Sequence, residues 1–197
     1  MLGVRLLLIG APGAGKGTQA TRIADHFQLA HISSGDLLRE HVAKGTAIGR
    51  TAQQYMERGD LVPDDVVLDM LRKPVTSAVA AGGYVLDGFP RTVEQAEAAY
   101  AVAKDLGVAV QVAIHLAVDP ASLVERLVAR GQESGRTDDT PEVIRHRIDV
   151  YQERTQPLLD YYAERERLIQ VNGERRVEEV TWSVIVQLQK AQRLLAE

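Results

Sequence analysis

The chain contains no cysteine among its 197 residues. This absence excludes disulfide bonds, cysteine-ligated zinc and a thiol nucleophile, and it is neutral about the cellular compartment. An excess of positive charge is also missing, because 27 acidic side chains face 23 lysines and arginines and give a net charge of −4. A surface of this charge argues against general binding to nucleic acid or to an anionic membrane.

Long hydrophobic runs, internal repeats and low-complexity segments are missing as well. The apolar run at residues 4–9 is too short to cross a bilayer and lacks a cleavage site, so we predict a strand and not a targeting segment. The length and the hydrophobic content of 45% suit one domain with a sizeable core. We therefore expect a single cytoplasmic domain over residues 1–197.

The most informative segment is the glycine-rich stretch G-A-P-G-A-G-K-G-T at residues 10–18, which follows the first apolar run and precedes a helical pattern. Glycines let the backbone approach a phosphate, and successive N–H groups at a helix start form an anion-binding nest. Lys16 adds a mobile positive charge. We predict a phosphate-binding loop, and not a turn that binds nothing, formed by Gly13, Ala14, Gly15, Lys16, Gly17 and Thr18.

Two residues are candidates for organising Mg²⁺. Asp87 ends the apolar run Y-V-L-D, a position from which a carboxylate holds the ion in phosphate-loop proteins, and we expect it to act through water. The alternative for Asp87 is a turn cap. The hydroxyl that commonly follows the loop lysine comes one residue late here, at Thr18 after Gly17, so direct ligation by Thr18 stays open.

Short apolar runs alternate with longer helical patterns, which predicts an α/β fold with a parallel sheet and helices on both faces. Strands are predicted at residues 4–9, 30–32, 84–87, 110–116 and 168–171. Helices are predicted at 16–27, 35–43, 48–57, 64–80, 93–106, 120–130, 141–164 and 177–195, with Trp182 packed in the last. The polar, glycine-bearing segment 131–140 between two helices is a predicted loop and a candidate lid.

Several arginines are expected to follow strand ends or to lie in loops, where ligands bind in a doubly wound sheet. Polyphosphate substrates need such planar, always-charged donors. The acidic pair Asp138 and Asp139 either orients these arginines or is solvated. The candidate arginines are Arg39, Arg91, Arg126, Arg130, Arg136, Arg147 and Arg175.

The order of the motifs resembles that of the adenylate kinases within the nucleoside monophosphate kinase family. Besides the glycine-rich loop, the motifs are I-S-S-G-D-L-L-R, G-D-L-V-P-D-D-V, L-D-G-F-P-R-T-V-E-Q-A, E-R-L-V-A-R and G-R-T-D-D followed by I-R-H-R. The resemblance implies a P-loop NTPase-type fold with a five-stranded parallel sheet, an AMP-binding helical segment at 33–62 and a short LID at 130–140. It also implies a monomer that transfers the γ-phosphoryl group of ATP to AMP with Mg²⁺ and gives two ADP.

The resemblance also assigns roles by position. For ATP it implies the loop residues 13–18 with Arg126, Arg130 and Arg175. For AMP it implies Ser34, Arg39, Asp60, Leu61, Val62, Gly88, Phe89, Pro90, Arg91, Gln95, Arg136 and Arg147. For catalysis it implies Lys16, Arg91, Arg130, Arg136 and Arg147, with the last two clamping phosphates when the LID closes.

Two departures and two alternatives accompany this resemblance. Ser34 stands where the family has threonine, and the short LID without cysteine is typical of a LID that holds no structural zinc. A UMP–CMP kinase is the nearest alternative, but Gln95 offers a donor and an acceptor to the edge of adenine and favours AMP. The other alternative is a nucleotide-binding regulatory protein that catalyses no reaction, and the presence of the catalytic lysine and arginines argues against it.

Overall fold

The computed structural model describes residues 3–134, 139–165 and 167–195. Its sheet has five strands that all run parallel in the order β2-β3-β1-β4-β5. The predicted five-stranded parallel sheet is therefore confirmed. The strands are β1 (Val4–Ile9), β2 (Ala30–Ser33), β3 (Gly83–Asp87), β4 (Val112–Ala117) and β5 (Arg167–Asn172).

The order of the strands reverses at β1, because β1 lies between β3 and β4. In open α/β sheets, ligands bind in the crevice at such a switch point, beyond the carboxyl ends of the strands. The glycine-rich loop leaves β1 at this edge. Asp87 lies at the same edge, opposite Leu8 of β1 and Ser33 of β2 in the strand register.

The helices of the described residues cover both faces of the sheet. Leu6 and Leu8 of β1 pack with one group of apolar side chains that includes Ile23 and Val184, and Leu7 and Ile9 pack with another on the opposite face. Alternation along the strand thus places one strand in two cores. The α-helices are α1 (Lys16–Phe27), α2 (Ser34–Ala43), α3 (Ala47–Met56), α4 (Asp64–Ala80), α5 (Val93–Asp105), α6 (Pro120–Ser134), α7 (Pro141–Val150), α8 (Leu158–Arg165) and α9 (Val177–Leu195).

One predicted helix is interrupted. The prediction of an unbroken helix over residues 141–164 is wrong, because a π-helical turn, Tyr151–Thr155, separates α7 from α8. The Gln156 N–H donates to the Tyr151 carbonyl at 2.8 Å, which is the wider spacing of a π-helix. Pro157 follows at once, and since proline has no N–H it cannot continue the α-helical hydrogen-bond pattern. Tyr151 and Thr155 of this turn lie near the glycine-rich loop, since they line one cavity together with Lys16.

Two smaller predictions also need correction. Helix α6 continues to Ser134, so residues 131–134 of the predicted loop are helical. Trp182 does not pack in the core, since 64% of it is exposed on α9. Among the helices of the described residues, none has the length and apolar character needed to cross a membrane.

Candidate active site

The glycine-rich loop packs closely against α6. Gly13 and Gly15 have φ of 84° and 88°, a backbone conformation that favours glycine. A Cβ on Gly13 would lie 3.0 Å from the Leu123 carbonyl oxygen and from Leu127 Cγ, so a side chain there would push the loop away from α6. Glycine at position 13 therefore permits the close packing of the loop against α6.

Lys16 is the first residue of α1 and folds over the loop. Its Nζ donates to the carbonyl oxygens of Gly10 at 2.8 Å and Ala11 at 3.0 Å. Burial is the main cause that lowers the pKa of Lys16 to about 8; Asp87 opposes it, and the positive charges of Arg91, Arg147 and Arg130 act in the same direction as burial. The cluster of positive charges formed by Lys16 and these arginines attracts an anion.

Asp87 is nearly buried beside the start of α1. Its Oδ2 lies 4.0 Å from His31 Nε2 and would lie 3.7 Å from a Cβ on Gly17. The carboxylate therefore lies within van der Waals reach of the first turn of α1. Thr18 is exposed on the first turn of α1. The Asp87 carboxylate therefore lies beside the glycine-rich loop, as predicted. The predicted roles of Asp87 and Thr18 toward Mg²⁺ stay predictions.

Two cavities adjoin at this edge of the sheet. The first has apolar walls that include Leu38, Met56, Val62 and Val67, and Gln95 lies at its border. The second is lined by the glycine-rich loop with Lys16. The residues that border both cavities are Gly59, Leu61, Gly88, Arg91 and Arg147. The molecule therefore offers two sites whose common border carries two arginines.

Arg91 is fixed by contacts from three directions. The side-chain Nε of Arg91 donates to the Gly88 carbonyl at 2.8 Å. Its backbone N–H donates to Gln95 Oε1 at 2.7 Å, and its backbone carbonyl accepts from Thr155 Oγ1 at 2.7 Å. Thr155 belongs to the π-helical turn. The turn therefore positions Arg91 at the border of the two cavities.

Asp139 brings two of the predicted catalytic arginines together. Its side chain is 0% exposed. Arg130 donates to both of its oxygens at 2.7 Å, and Arg147 donates to Oδ1 at 2.8 Å. Of the two alternatives left open for the acidic pair, the structure favours orientation of arginines for Asp139. Asp138 lies outside the described residues.

The AMP-binding segment predicted at 33–62 borders the first cavity. Arg39 Nη2 donates to Asp36 Oδ1 at 2.5 Å. Asp60 forms a 2.7 Å hydrogen bond with His146 of α7 and accepts another from Arg58 at 2.9 Å, and these two bonds lower the pKa of Asp60. Ser34 lines the first cavity, and its Oγ is buried without a hydrogen-bond partner among the described residues.

The predicted residues are not all gathered at the two cavities. Arg126 donates from both Nη atoms to the Gly173 carbonyl at 3.1 Å and ties α6 to the segment after β5. Arg175 is exposed in that segment. Arg136 lies outside the described residues. Arg130 lines neither cavity and pairs with Asp139. The remaining predicted residues belong to the glycine-rich loop, line a cavity or, as Asp87 does, lie beside the loop.

Comparison with known proteins decides the family. The family model described as adenylate kinase matches residues 8–167. The chain belongs to the adenylate kinase family. Adenylate kinases of Stenotrophomonas maltophilia (strain K279a) and Kocuria rhizophila are each 44% identical to it, over 90% and 94% of this chain and 95% and 99% of theirs. The adenylate kinase of Leptospira biflexa is 44% identical over 92% of this chain and 97% of its own.

Membership of the adenylate kinase family makes the protein a phosphotransferase of the P-loop type, as the sequence predicted. Two residues that hold site residues in place were not predicted from the sequence of this member of the adenylate kinase family. Thr155, which donates to the Arg91 carbonyl, fell inside a predicted helix, and Asp64, which accepts from Gln95, was predicted only as the start of a helix. Both are polar side chains at helix ends, a signal too common to single them out.

Proposed function

We propose that this protein catalyses reversible transfer of the terminal phosphoryl group of ATP to AMP, giving two ADP. One observation carries the proposal: Arg91 and Arg147 border both cavities, and Lys16 lies in one while Gln95 lies in the other. Two nucleotides placed with their phosphates toward this border would meet end to end. In-line phosphoryl transfer requires that arrangement.

The proposed ATP site is the glycine-rich loop. Its backbone N–H groups and the start of α1 attract phosphate oxygens. When ATP binds, Lys16 would donate to phosphate oxygens in place of the Gly10 and Ala11 carbonyls. Arg130 would contact phosphate, and Arg126 with Arg175 would flank the base. Fixed cations that meet the charge of the transition state lower the barrier without reorganisation.

The proposed AMP site is the first cavity. Its apolar walls suit a base, Gln95 can pair with the base edge, and Arg39, Arg91 and Arg147 can hold the phosphate. The buried hydroxyl of Ser34 is a further polar contact within reach of this cavity. Backbone groups at 60–62 and at 88–90 complete the proposed site.

The residues present fit Mg²⁺ bound together with ATP. Magnesium keeps several waters and takes one or two carboxylates besides substrate phosphates. Asp87, nearly buried at the carboxyl end of β3, can supply that carboxylate through water, and no group of three or more acidic or histidine side chains in the described ranges is placed to hold a metal. When bound, the ion would neutralise charge on the transferring phosphoryl group.

The proposed reaction needs no covalent intermediate. The chain positions the acceptor phosphate of AMP in line with the γ-phosphoryl group and supplies charge through Lys16 and the arginines. Asp139 keeps Arg130 and Arg147 aligned before substrate arrives. Water must be excluded, because it would otherwise accept the phosphoryl group, and we propose that the LID at 130–140 closes for this purpose with Arg136.

The test is ADP formation in a coupled assay with ATP and each of AMP, CMP, UMP and GMP. Selective turnover of AMP supports the proposal. Preference for CMP and UMP would make the protein a UMP–CMP kinase, and turnover of none would favour a regulatory nucleotide-binding protein. The single domain with inserted segments 33–62 and 130–140, the cytoplasmic location and the monomeric state stay predictions.

A further inference from the structure

The amide of Gln95 is held in one orientation. Gln95 Nε2 donates to Asp64 Oδ1 at 2.5 Å, and Gln95 Oε1 accepts from the Arg91 N–H at 2.7 Å. A carboxylate only accepts and a backbone N–H only donates, so the chemistry of the two partners fixes which end of the amide is oxygen. The reversed amide would place oxygen against the carboxylate and N–H against N–H.

Gln95 nevertheless keeps hydrogen-bonding capacity for a ligand. A primary amide has two N–H donors and an oxygen with two lone pairs, and the contacts with Asp64 and Arg91 use one of each. The residue is 2% exposed and borders the first cavity. A base in that cavity would meet one N–H and one lone pair in a fixed order.

That order distinguishes two classes of purine. Adenine presents an acceptor at N1 and a donor at its 6-amino group, whereas hypoxanthine presents a donor at N1 and an acceptor at its 6-oxo group. An amide can pair with either edge, but only in opposite orientations. A site that reads a base through an amide must therefore fix the amide to discriminate between them.

We propose that Asp64 is a positioning residue for base selection, whose carboxylate fixes the Gln95 amide so that the site accepts a 6-aminopurine monophosphate and disfavours a 6-oxopurine monophosphate. This inference rests on the proposed function, in which Gln95 faces the base of AMP. It assigns a role in selectivity to a residue at the start of α4 that borders neither cavity.

The decisive variant is Asp64→Asn. Asparagine has the same shape and can hydrogen bond to Gln95 in either orientation. The variant therefore keeps the contact and removes the carboxylate's share in fixing the amide, while the backbone N–H of Arg91 stays as the other fixing group. The matched control is Asp65→Asn, which removes an equal charge from the same first turn of α4. Asp65 is exposed, and no contact joins it to Gln95.

The measurement is the ratio of kcat/KM for AMP to kcat/KM for IMP. The two substrates share ribose and phosphate, so general damage to the site cancels in the ratio. We expect Asp64→Asn to lower the ratio about tenfold, as the loss of one charge-assisted hydrogen bond does, and Asp65→Asn to leave it at the wild-type value. Gln95→Ala should lower it also, and Asp64→Asn should add nothing in the Gln95→Ala background.

The outcomes separate the inference from the proposed function. An unchanged ratio in Asp64→Asn, or an equal fall in Asp65→Asn, overturns the role of Asp64 while base reading by Gln95 stands. An unchanged ratio in Gln95→Ala overturns both the base contact and the role of Asp64. If AMP is not phosphorylated at all, the proposed activity fails, and the ratio of Kd values for AMP and IMP then tests Asp64 by the same comparison.

Discussion

Arg130 and Asp139 form two parallel hydrogen bonds, Nε to Oδ2 and Nη2 to Oδ1, each 2.7 Å long. The carboxylate also accepts from Arg147 Nη1, so α6 and α7 meet at one buried acid. Paired charge-assisted bonds of this kind fix both direction and distance. Arg130 and Arg147, of which Arg147 borders both cavities, are therefore aligned by the protein itself.

Asp139→Asn tests this alignment. The amide replaces one acceptor oxygen by a donor that faces a guanidinium donor, and we expect the free energy of unfolding to fall by about 1.5–3 kcal/mol. Misplaced arginines should also lower kcat by on the order of tenfold or more. Urea unfolding and steady-state kinetics measure both effects. Asp160→Asn, at an exposed carboxylate of α8, is the control, and equal behaviour of the two variants would refute the role of Asp139.

Lys16→Met should remove most phosphoryl transfer and leave the fold intact, because Lys16 Nζ contacts only loop carbonyls in the described structure apart from charge interactions. Loss of one fixed electrostatic donor in the transition state costs about 10²–10³ in kcat. Steady-state turnover and circular dichroism provide the measurement, with the exposed Lys190→Met as control. Turnover near that of the wild type would exclude Lys16 from catalysis.

The lowered pKa of Lys16, about 8, predicts a pH dependence. The ammonium form, which binds phosphate, is lost from the free enzyme as pH rises through 8, so kcat/KM for ATP should fall above this pH by on the order of tenfold per unit. Binding of ATP should take up a proton near pH 8. Calorimetry in two buffers of different ionisation enthalpy detects that uptake, and Lys16→Met should abolish it.

The same shift has a consequence for stability. Between the folded pKa of about 8 and the ordinary value of 10.5, the unfolded chain holds the Lys16 proton and the folded protein does not. The free energy of unfolding should therefore rise with pH across this window relative to Lys16→Met. A difference between the two proteins that falls with pH would contradict the assigned direction.

Arg136→Ala tests the proposed LID. Arg136 lies outside the described residues, and its role stays a prediction from the polar segment around it. If Arg136 meets phosphate only when the LID closes, kcat and kcat/KM should fall together while ATP binding to the free enzyme changes little. Kinetics and an ATP titration of the variant decide this, and an unchanged kcat would remove Arg136 from the active site.

Regular features of the fold follow from local sequence signals. The bounds predicted for α1 and α4 match the structure, because a glycine-rich loop precedes one and an acidic first turn starts the other. The π-helical turn at Tyr151–Thr155 carries no such local signal within it, and its wider hydrogen bond is visible only in the folded structure. Pro157, which cannot continue the α-helical hydrogen-bond pattern, is a sequence signal for the break that the prediction of an unbroken helix overlooked.

The candidate site likewise has parts that local sequence predicts and parts that only tertiary structure shows. The glycine-rich loop, Asp87 and the arginines are readable from motifs because each motif is local. The contacts of Asp139 with Arg130 and Arg147, and of Asp64 with Gln95, join elements that only tertiary packing brings together. Which side chains orient the catalytic groups could therefore be seen only in the folded structure.

Phosphoryl transfer between two nucleotides is tested by following the γ-phosphorus of ATP. With γ-labelled ATP, AMP and Mg²⁺, we expect the label to appear in the β-position of ADP formed from AMP, with little inorganic phosphate. Label released as inorganic phosphate at the same rate with and without AMP, or label that stays in ATP, would contradict it.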